Sequence, residues 1–176
     1  MAAKRFVEVL NAQIGSEFSA HNRYVACAAY YDGLTMPQMA GLFYRQALEE
    51  RAHAMMMVQY LIDCDEPVVV PGVDSPSNDF ADIIAPVRLA LDQEKRVTEQ
   101  INNLTRVARE ENDFASEQFM QWFIKEQVEE VSSMSDLLTV VTRSKNDIEG
   151  IEDFVARETG KAGTDPTAPA QAGANA

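Results

Sequence analysis

The apolar positions of this chain recur by threes and fours in five separate runs, the spacing that puts side chains on one face of a helix. In the first run, Leu10, Ile14, Glu17, His21, Tyr24, Ala28 and Tyr31 share a face, which predicts a helix from about Ala3 to Tyr31. Asp32-Gly33 closes it, with Gly33 suited to the left-handed position past a helix end. The second run starts near Pro37, a favoured first-turn residue, and reaches about Asp63 with the stripe Phe43, Ala47, Glu50, Ala54, Met57, Leu61. The stretch holding Pro67, Val68, Val69, Val70, Pro71, Gly72 and Pro76 has no helical period and reads as extended chain. A connection of that length carries the chain back along a bundle, so the helices it joins run parallel.

The third helix is expected to begin after Asn78-Asp79 and run to about Glu110, with Val87, Leu91, Glu94, Thr98, Ile101, Thr105 and Ala108 inward. A polar turn, Glu111-Asn112-Asp113, leads to a fourth whose stripe is Phe119, Phe123, Gln127, Glu130, Met134, Leu137, Val141. A short fifth helix follows a cap at Asn146 or Asp147 and presents Ile148, Ile151, Phe154 and Val155. Residues 159–176 are Ala, Gly, Thr and Pro with almost no large apolar side chain. They cannot bury enough surface to offset their ordering entropy, which predicts a disordered tail. The expectation is one all-α domain over residues 1–158: four long helices, one long crossover and a short fifth helix.

The stripes are interrupted in a patterned way. Glu17, Glu50 and His53 return at one constant offset as Glu94, Gln127 and Glu130. Glu50 and His53 are three apart and project from one side of one turn, as do Gln127 and Glu130. An unpaired carboxylate in a core costs several kcal/mol or takes up a proton. No Lys or Arg stands on these stripes, whereas two divalent cations would balance Glu17, Glu50, Glu94 and Glu130 charge for charge. One ExxH alone is weak; together with a QxxE and two single glutamates at equal intervals it is strong, against the bland alternative of polar relics left by a duplication. Oxygen donors with one imidazole suit iron or manganese better than structural zinc.

Net charge narrows the partners. At -13 the chain is poorly suited to nucleic acid, which needs Lys and Arg to replace counterions, and well suited to attracting cations. No apolar run approaches a membrane span, and MAAKRFVEVLNAQIGSEF lacks the apolar core of a signal peptide. Cys27 and Cys64 form no CxxC and read as free thiols in a reducing compartment. A cytoplasmic protein that binds neither nucleic acid nor membrane is expected.

At YRQALEERAHAMMMVQYL, ALDQEKRV and FMQWFIKEQVEEV the chain resembles the ferritins, most closely bacterial non-haem ferritins of the actinobacterial type, over about Lys4 to Glu158. The resemblance implies a ferritin-like bundle that oxidises Fe(II) to Fe(III) with dioxygen or peroxide and stores ferric mineral in a cage of 24 copies. It implies Glu17, Glu50 and His53 as ligands of a first iron, Glu50 as bridge, and Glu94 and Glu130 as ligands of a second. Gln127 becomes the amide facing bound oxygen species, and Tyr24 a tyrosine beside the centre. Glu49, Glu126 and Glu129 match a third iron site between the centre and the cavity, or form a solvated face.

Departures matter too. Bacterioferritins carry a second ExxH where this chain has Gln127 and Glu130, and a haem-binding Met where it has Arg51, so no haem is expected. Glu117, with Glu110, Glu111 and Asp113, matches an acidic pore or a solvated turn, and Met120 stands where a second pore acid is common. His21 is expected as a hydrogen-bonded core histidine, and Met55, Met56, Met57 and Trp122 as packing. A rubrerythrin-like oxidase or peroxidase and a Dps-like protective cage are the other readings.

Overall fold

Alternate three- and four-residue spacing is realised as α1 (Lys4–Gly33), α2 (Pro37–Asp63), α3 (Ala85–Glu110), α4 (Phe114–Arg143) and α5 (Ile148–Thr159). The structure is a computed structural model and describes residues 2–159 and 165–174. Short turns make α1 and α2 one antiparallel pair and α3 and α4 another, and the crossover over residues 64–84 joins the pairs. The fold is therefore an all-α four-helix bundle with a short fifth helix. Among the described residues, no helix is long and apolar enough to cross a membrane.

The core divides in two. Phe6, Leu10, Met57, Leu61, Leu104 and Phe123 belong to one apolar cluster, and Tyr31, Phe43, Val87, Met134 and Val141 to another. Glu17, Glu50, His53, Glu94, Gln127 and Glu130 belong to neither; their places on the stripes fall between the two clusters.

The first three helices end alike. Met36 N–H donates to Tyr31 O (3.0 Å), Glu66 N–H to Leu61 O (2.9 Å) and Asp113 N–H to Ala108 O (2.8 Å). Each bond spans a residue of positive φ: Thr35 (59°), Asp65 (56°) and Asn112 (55°). Gly33, expected at that left-handed position, is instead the last residue of α1. The chain continues helically through Gly33, and Thr35 N–H donates to Asp32 O (3.0 Å) as the turn closes.

The third helix also starts later than Asp79. The Asp82 carboxylate accepts from the N–H groups of Ile84 and Ala85 (both 2.9 Å), and Pro86 fills the first turn. α4 is capped by Asp113, whose side chain accepts from Ser116 N–H (3.1 Å) and from Ala3 N–H (2.8 Å). These bonds hold the Asp113 carboxyl below its usual pKa, against the opposing pull of its partial burial. α5 docks through Ile151 and Val155 in the second cluster. Its Glu152 carboxylate accepts from Gln38 N–H (2.8 Å) and Met39 N–H (2.9 Å), capping the start of α2 from outside.

Over residues 165–174 the chain makes contacts with α2 and α4. Asp165 accepts from Trp122 Nε1 (3.2 Å) and Lys125 Nζ (3.0 Å), and Ala172 N–H donates to Met55 O (3.1 Å). Residues 160–164 lie outside the described residues. Because Trp122 is the only tryptophan, its emission reports this docking. In Asp165→Ala the indole loses its partner, and we expect a red-shifted emission with helical content unchanged by circular dichroism. An unshifted spectrum would mean that the tail does not rest there.

Candidate metal centre

Six polar side chains converge at mid-bundle: Glu17 from α1, Glu50 and His53 from one turn of α2, Glu94 from α3, and Gln127 and Glu130 from one turn of α4. None is more than 6% exposed. An oxygen from each of Glu17 and Glu50 and a ring nitrogen of His53 all lie within 4.8 Å of one another. Glu94 and Glu130 are not drawn into a triad as tight among the described residues, but each carries charge that raises the pKa of Glu50. His53 Nδ1 stands 3.7 Å from Glu50 Oε2, and the edges and faces of Trp122 and Phe123 wall its ring at 5.6 and 5.8 Å between centroids.

Hydrogen bonds divide the carboxylate oxygens. Gln13 Nε2 donates to Glu17 Oε1 (2.8 Å), the Tyr24 hydroxyl donates to Glu94 Oε1, and Gln46 Nε2 donates to Glu130 Oε2 (2.9 Å). One oxygen of each of these three acids is thus fixed by a neutral donor. Among the described residues, Glu17 Oε2, Glu94 Oε2 and both oxygens of Glu50 are buried and without a hydrogen-bond partner. Buried carboxylate oxygens almost always have a partner, so four bare ones beside an imidazole could hold a cation. Two acids presenting one bare oxygen each, Glu17 and Glu94, beside one presenting two, Glu50, is the pattern of terminal ligands around a bridge.

Gln127 has a neighbour as well. Thr98 Oγ1 shares its one proton between Glu94 O (2.8 Å) and Gln127 Oε1 (3.0 Å), and the Gln127 side chain favours the charged form of Glu94. Sequence reasoning missed Gln13, Gln46 and the part played by Thr98. Gln13 and Thr98 lie one turn from Glu17 and Glu94, and Gln46 one turn from Glu50, but of the three only Thr98 stands on an apolar stripe.

Burial drives the electrostatics. Glu17 and Glu50 are pushed well above the usual glutamate range by burial first, then by the charge of Glu50 and of Glu94 respectively. Glu130 is raised well by burial and by Glu94. Glu94 is raised by burial too, with its Tyr24 bond pulling the other way. Tyr24 is held protonated by burial and the negative charge of Glu94. Burial and mutual charge thus favour the protonated form of these acids.

The other candidates separate. Glu49 of α2 lies close enough to Glu126 of α4, and Glu126 to Glu129, for their charges to act on one another, and none is in the buried Glu17–Glu50–His53 group. Glu126 is raised by partial burial, with the charge of Glu129 adding to it, while Glu129 also lies 3.9 Å from Lys125 Nζ. His21 Nδ1 donates to Ala47 O (2.6 Å), which gives it a partner away from the carboxylates. Met56 and Met57 are buried packing, and Met55 is half-buried. At the α3–α4 corner, Glu117 pairs with Arg109 (2.6 Å) and Glu110 with Arg5 (2.7 Å), so those acids are partly neutralised. Cys27 and Cys64 are free thiols, and burial pushes Cys27 up to about 12.

The Ferritin-like domain family matches residues 7–144. "Ferritin BfrB" of Mycolicibacterium smegmatis is 53% identical over 96% of this chain and 93% of its own length. "Bacterial non-heme ferritin" of Staphylococcus aureus is 35% identical over 84% of this chain and 89% of its own. Among solved structures, an open-pore ferritin from the hyperthermophilic archaeon Archaeoglobus fulgidus superposes with a TM-score of 0.87 at 26% identity, covering 92% of this chain and all of that one.

Proposed function

The chain belongs to the ferritin family, and we propose that it is an iron-storage subunit that oxidises Fe(II) to Fe(III) within its own four-helix bundle. The observation that carries this is the set of four buried carboxylate oxygens with no hydrogen bond, beside one imidazole. Ferrous iron is the substrate. One ion takes Glu17, Glu50 and His53; the second takes Glu94 and Glu130; Glu50 spans the two. Four negative charges then meet four positive ones, and the energetic penalty of burying the acids is offset.

The neutral donors do the positioning. Gln13, Tyr24 and Gln46 each hold one carboxylate oxygen, so the other faces the metal without searching rotamers. Each ferrous ion gives one electron, and the oxidant, dioxygen or peroxide, takes two. Gln127 offers an N–H beside Glu94 toward the oxygen so reduced, while the Tyr24 hydroxyl stays on Glu94 Oε1. Protons displaced from the raised glutamates leave as iron enters. Glu49 of α2 and Glu126 and Glu129 of α4 would take a third ion passing from the centre toward a cavity.

Storage requires a closed container, and the same proposal has 24 copies forming a cage in the cytoplasm, without haem, since Arg51 is an exposed cation where a haem-binding Met would stand. The test is aerobic loading with ferrous salt, followed by iron content and particle mass. We expect a particle of about 470 kDa, from closed symmetric assembly, holding iron far beyond the capacity of the ligand set. Iron that stops at the ligand set, or peroxide turnover without a mineral core, would favour a rubrerythrin-like enzyme instead.

A further inference from the structure

Away from the acids, on the flank where α1, α3 and the crossover meet, a pocket of about 440 Å³ is lined by Ser16, Ser19, Arg23, Gly72, Gln93 and Arg96, among others. At its base Gln93 is only 3% exposed. Its Oε1 accepts from Arg23 Nη1 and, at 2.6 Å, from Arg96 Nη2. Two guanidinium groups therefore converge on one neutral oxygen. Among the described residues neither makes an ion pair with any carboxylate, in a chain whose net charge is -13. Like charges brought this close repel, and a single amide dipole does not cancel them. Asp74 also lines the pocket but is not within ion-pairing distance of either guanidinium.

The pocket is built rather than left over. A Cβ on Gly15 would lie 2.5 Å from Pro71 Cγ, so only glycine lets the crossover come down onto α1 and form the wall. Asn11 holds that crossover from below: its Oδ1 accepts from Val69 N–H (2.6 Å) and its Nδ2 donates to Pro67 O (3.0 Å). Paired guanidinium forks with hydroxyls beside them match a tetrahedral oxyanion, which accepts several charge-assisted bonds at once.

We propose that the Arg23–Arg96 pocket binds a small tetrahedral oxyanion of the phosphate class, at a site separate from the metal centre. The site faces the α1–α3 side of the subunit, and its anion rests over Gln93, the residue preceding Glu94. The test uses the assembled, metal-free protein and inorganic phosphate, followed by calorimetry at constant ionic strength. We expect one phosphate per chain, with sulfate competing and chloride not. Affinity should fall about tenfold or more in Arg23→Met/Arg96→Met, and be largely retained in Arg23→Lys/Arg96→Lys relative to that loss, as charge-assisted bonds require. Arg96 is exposed, so Arg96→Met alone is a second variant whose folding is not in question, and it should weaken binding about threefold or more.

Cobalt(II) binding to the acid layer, read by its visible absorption, should be the same in all these variants. That keeps failure here distinct from failure of the iron reading. Equal phosphate affinity in wild type and both Met variants would overturn the proposal. So would a structure of the assembly in which a carboxylate from a neighbouring copy occupies the fork, or phosphate binding that appears only with metal loaded.

Discussion

Glu50→Ala/His53→Ala is expected to slow aerobic Fe(II) oxidation at least about a hundredfold, because it removes the one acid with two free oxygens together with the only imidazole of the layer. Both ions lose a ligand when Glu50 goes, so the effect falls on the pair rather than on one site. The remaining Glu17, Glu94 and Glu130 keep their donors Gln13, Tyr24 and Gln46, and the two apolar clusters on either side are untouched. The variant should therefore fold and assemble, which size-exclusion chromatography will show. Gln46→Leu, which frees Glu130 Oε2 to rotate, should fall between, at about tenfold slower. Stopped-flow absorbance of the ferric product is the measurement. A double variant within twofold of wild type would place oxidation elsewhere on the protein.

The residues of this site were visible in the sequence because each breaks an otherwise apolar stripe. A glutamate at Glu17 or Glu94 cannot be explained by solvation when Ile14 and Leu91 on the same stripe face the core. That argument depends only on helical period, which is why it found the acids and the helices that hold them. It did not find Gln13 and Gln46, because amides are tolerated at helix edges and carry no charge that demands an explanation. Their role depends on which carboxylate oxygen they reach, a matter of three-dimensional register. Gln46 bonds an acid on a different helix, at Glu130. Turn chemistry was legible in type but not in place: Gly33 was the obvious left-handed residue, yet Thr35 takes it. The polar bonds from Asp82 decided the start of α3, where the apolar pattern had nothing to say. Composition measures the apolar area a segment can bury and says nothing of polar bonds such as those Asp165 and the Ala172 N–H make.

The metal-free protein should lose stability through the acid layer as pH rises, and divalent metal should restore it. In the unfolded chain these glutamates titrate near the ordinary value of 4.5; in the folded chain Glu17, Glu50 and Glu130 sit well above it, chiefly through burial. Below 4.5 they are protonated in both states and impose no penalty. Above it the unfolded chain has released protons that the folded chain still holds, so the folded state binds more protons and stability falls with rising pH. The contribution is thus present on the acid side and lost as pH climbs through the raised values. Asp113, whose pKa is lowered by its capping bonds, works in the opposite sense and loses its stabilising effect on acidification. The layer's part is therefore read as a difference between proteins. Metal-free Glu50→Gln/Glu94→Gln should match wild type at about pH 4.5 and exceed it at pH 7 by on the order of 2 kcal/mol. Cobalt(II) at about a hundred times its Kd should add about 2.7 kcal/mol per bound ion to wild type at pH 7. That gain should fade toward pH 4.5, as protons compete for the same oxygens, and should be largely absent from the variant. Thermal and denaturant unfolding across this range will decide it. Parallel pH profiles for the two proteins, or equal cobalt stabilisation of both, would mean that these carboxylates do not trade protons for metal.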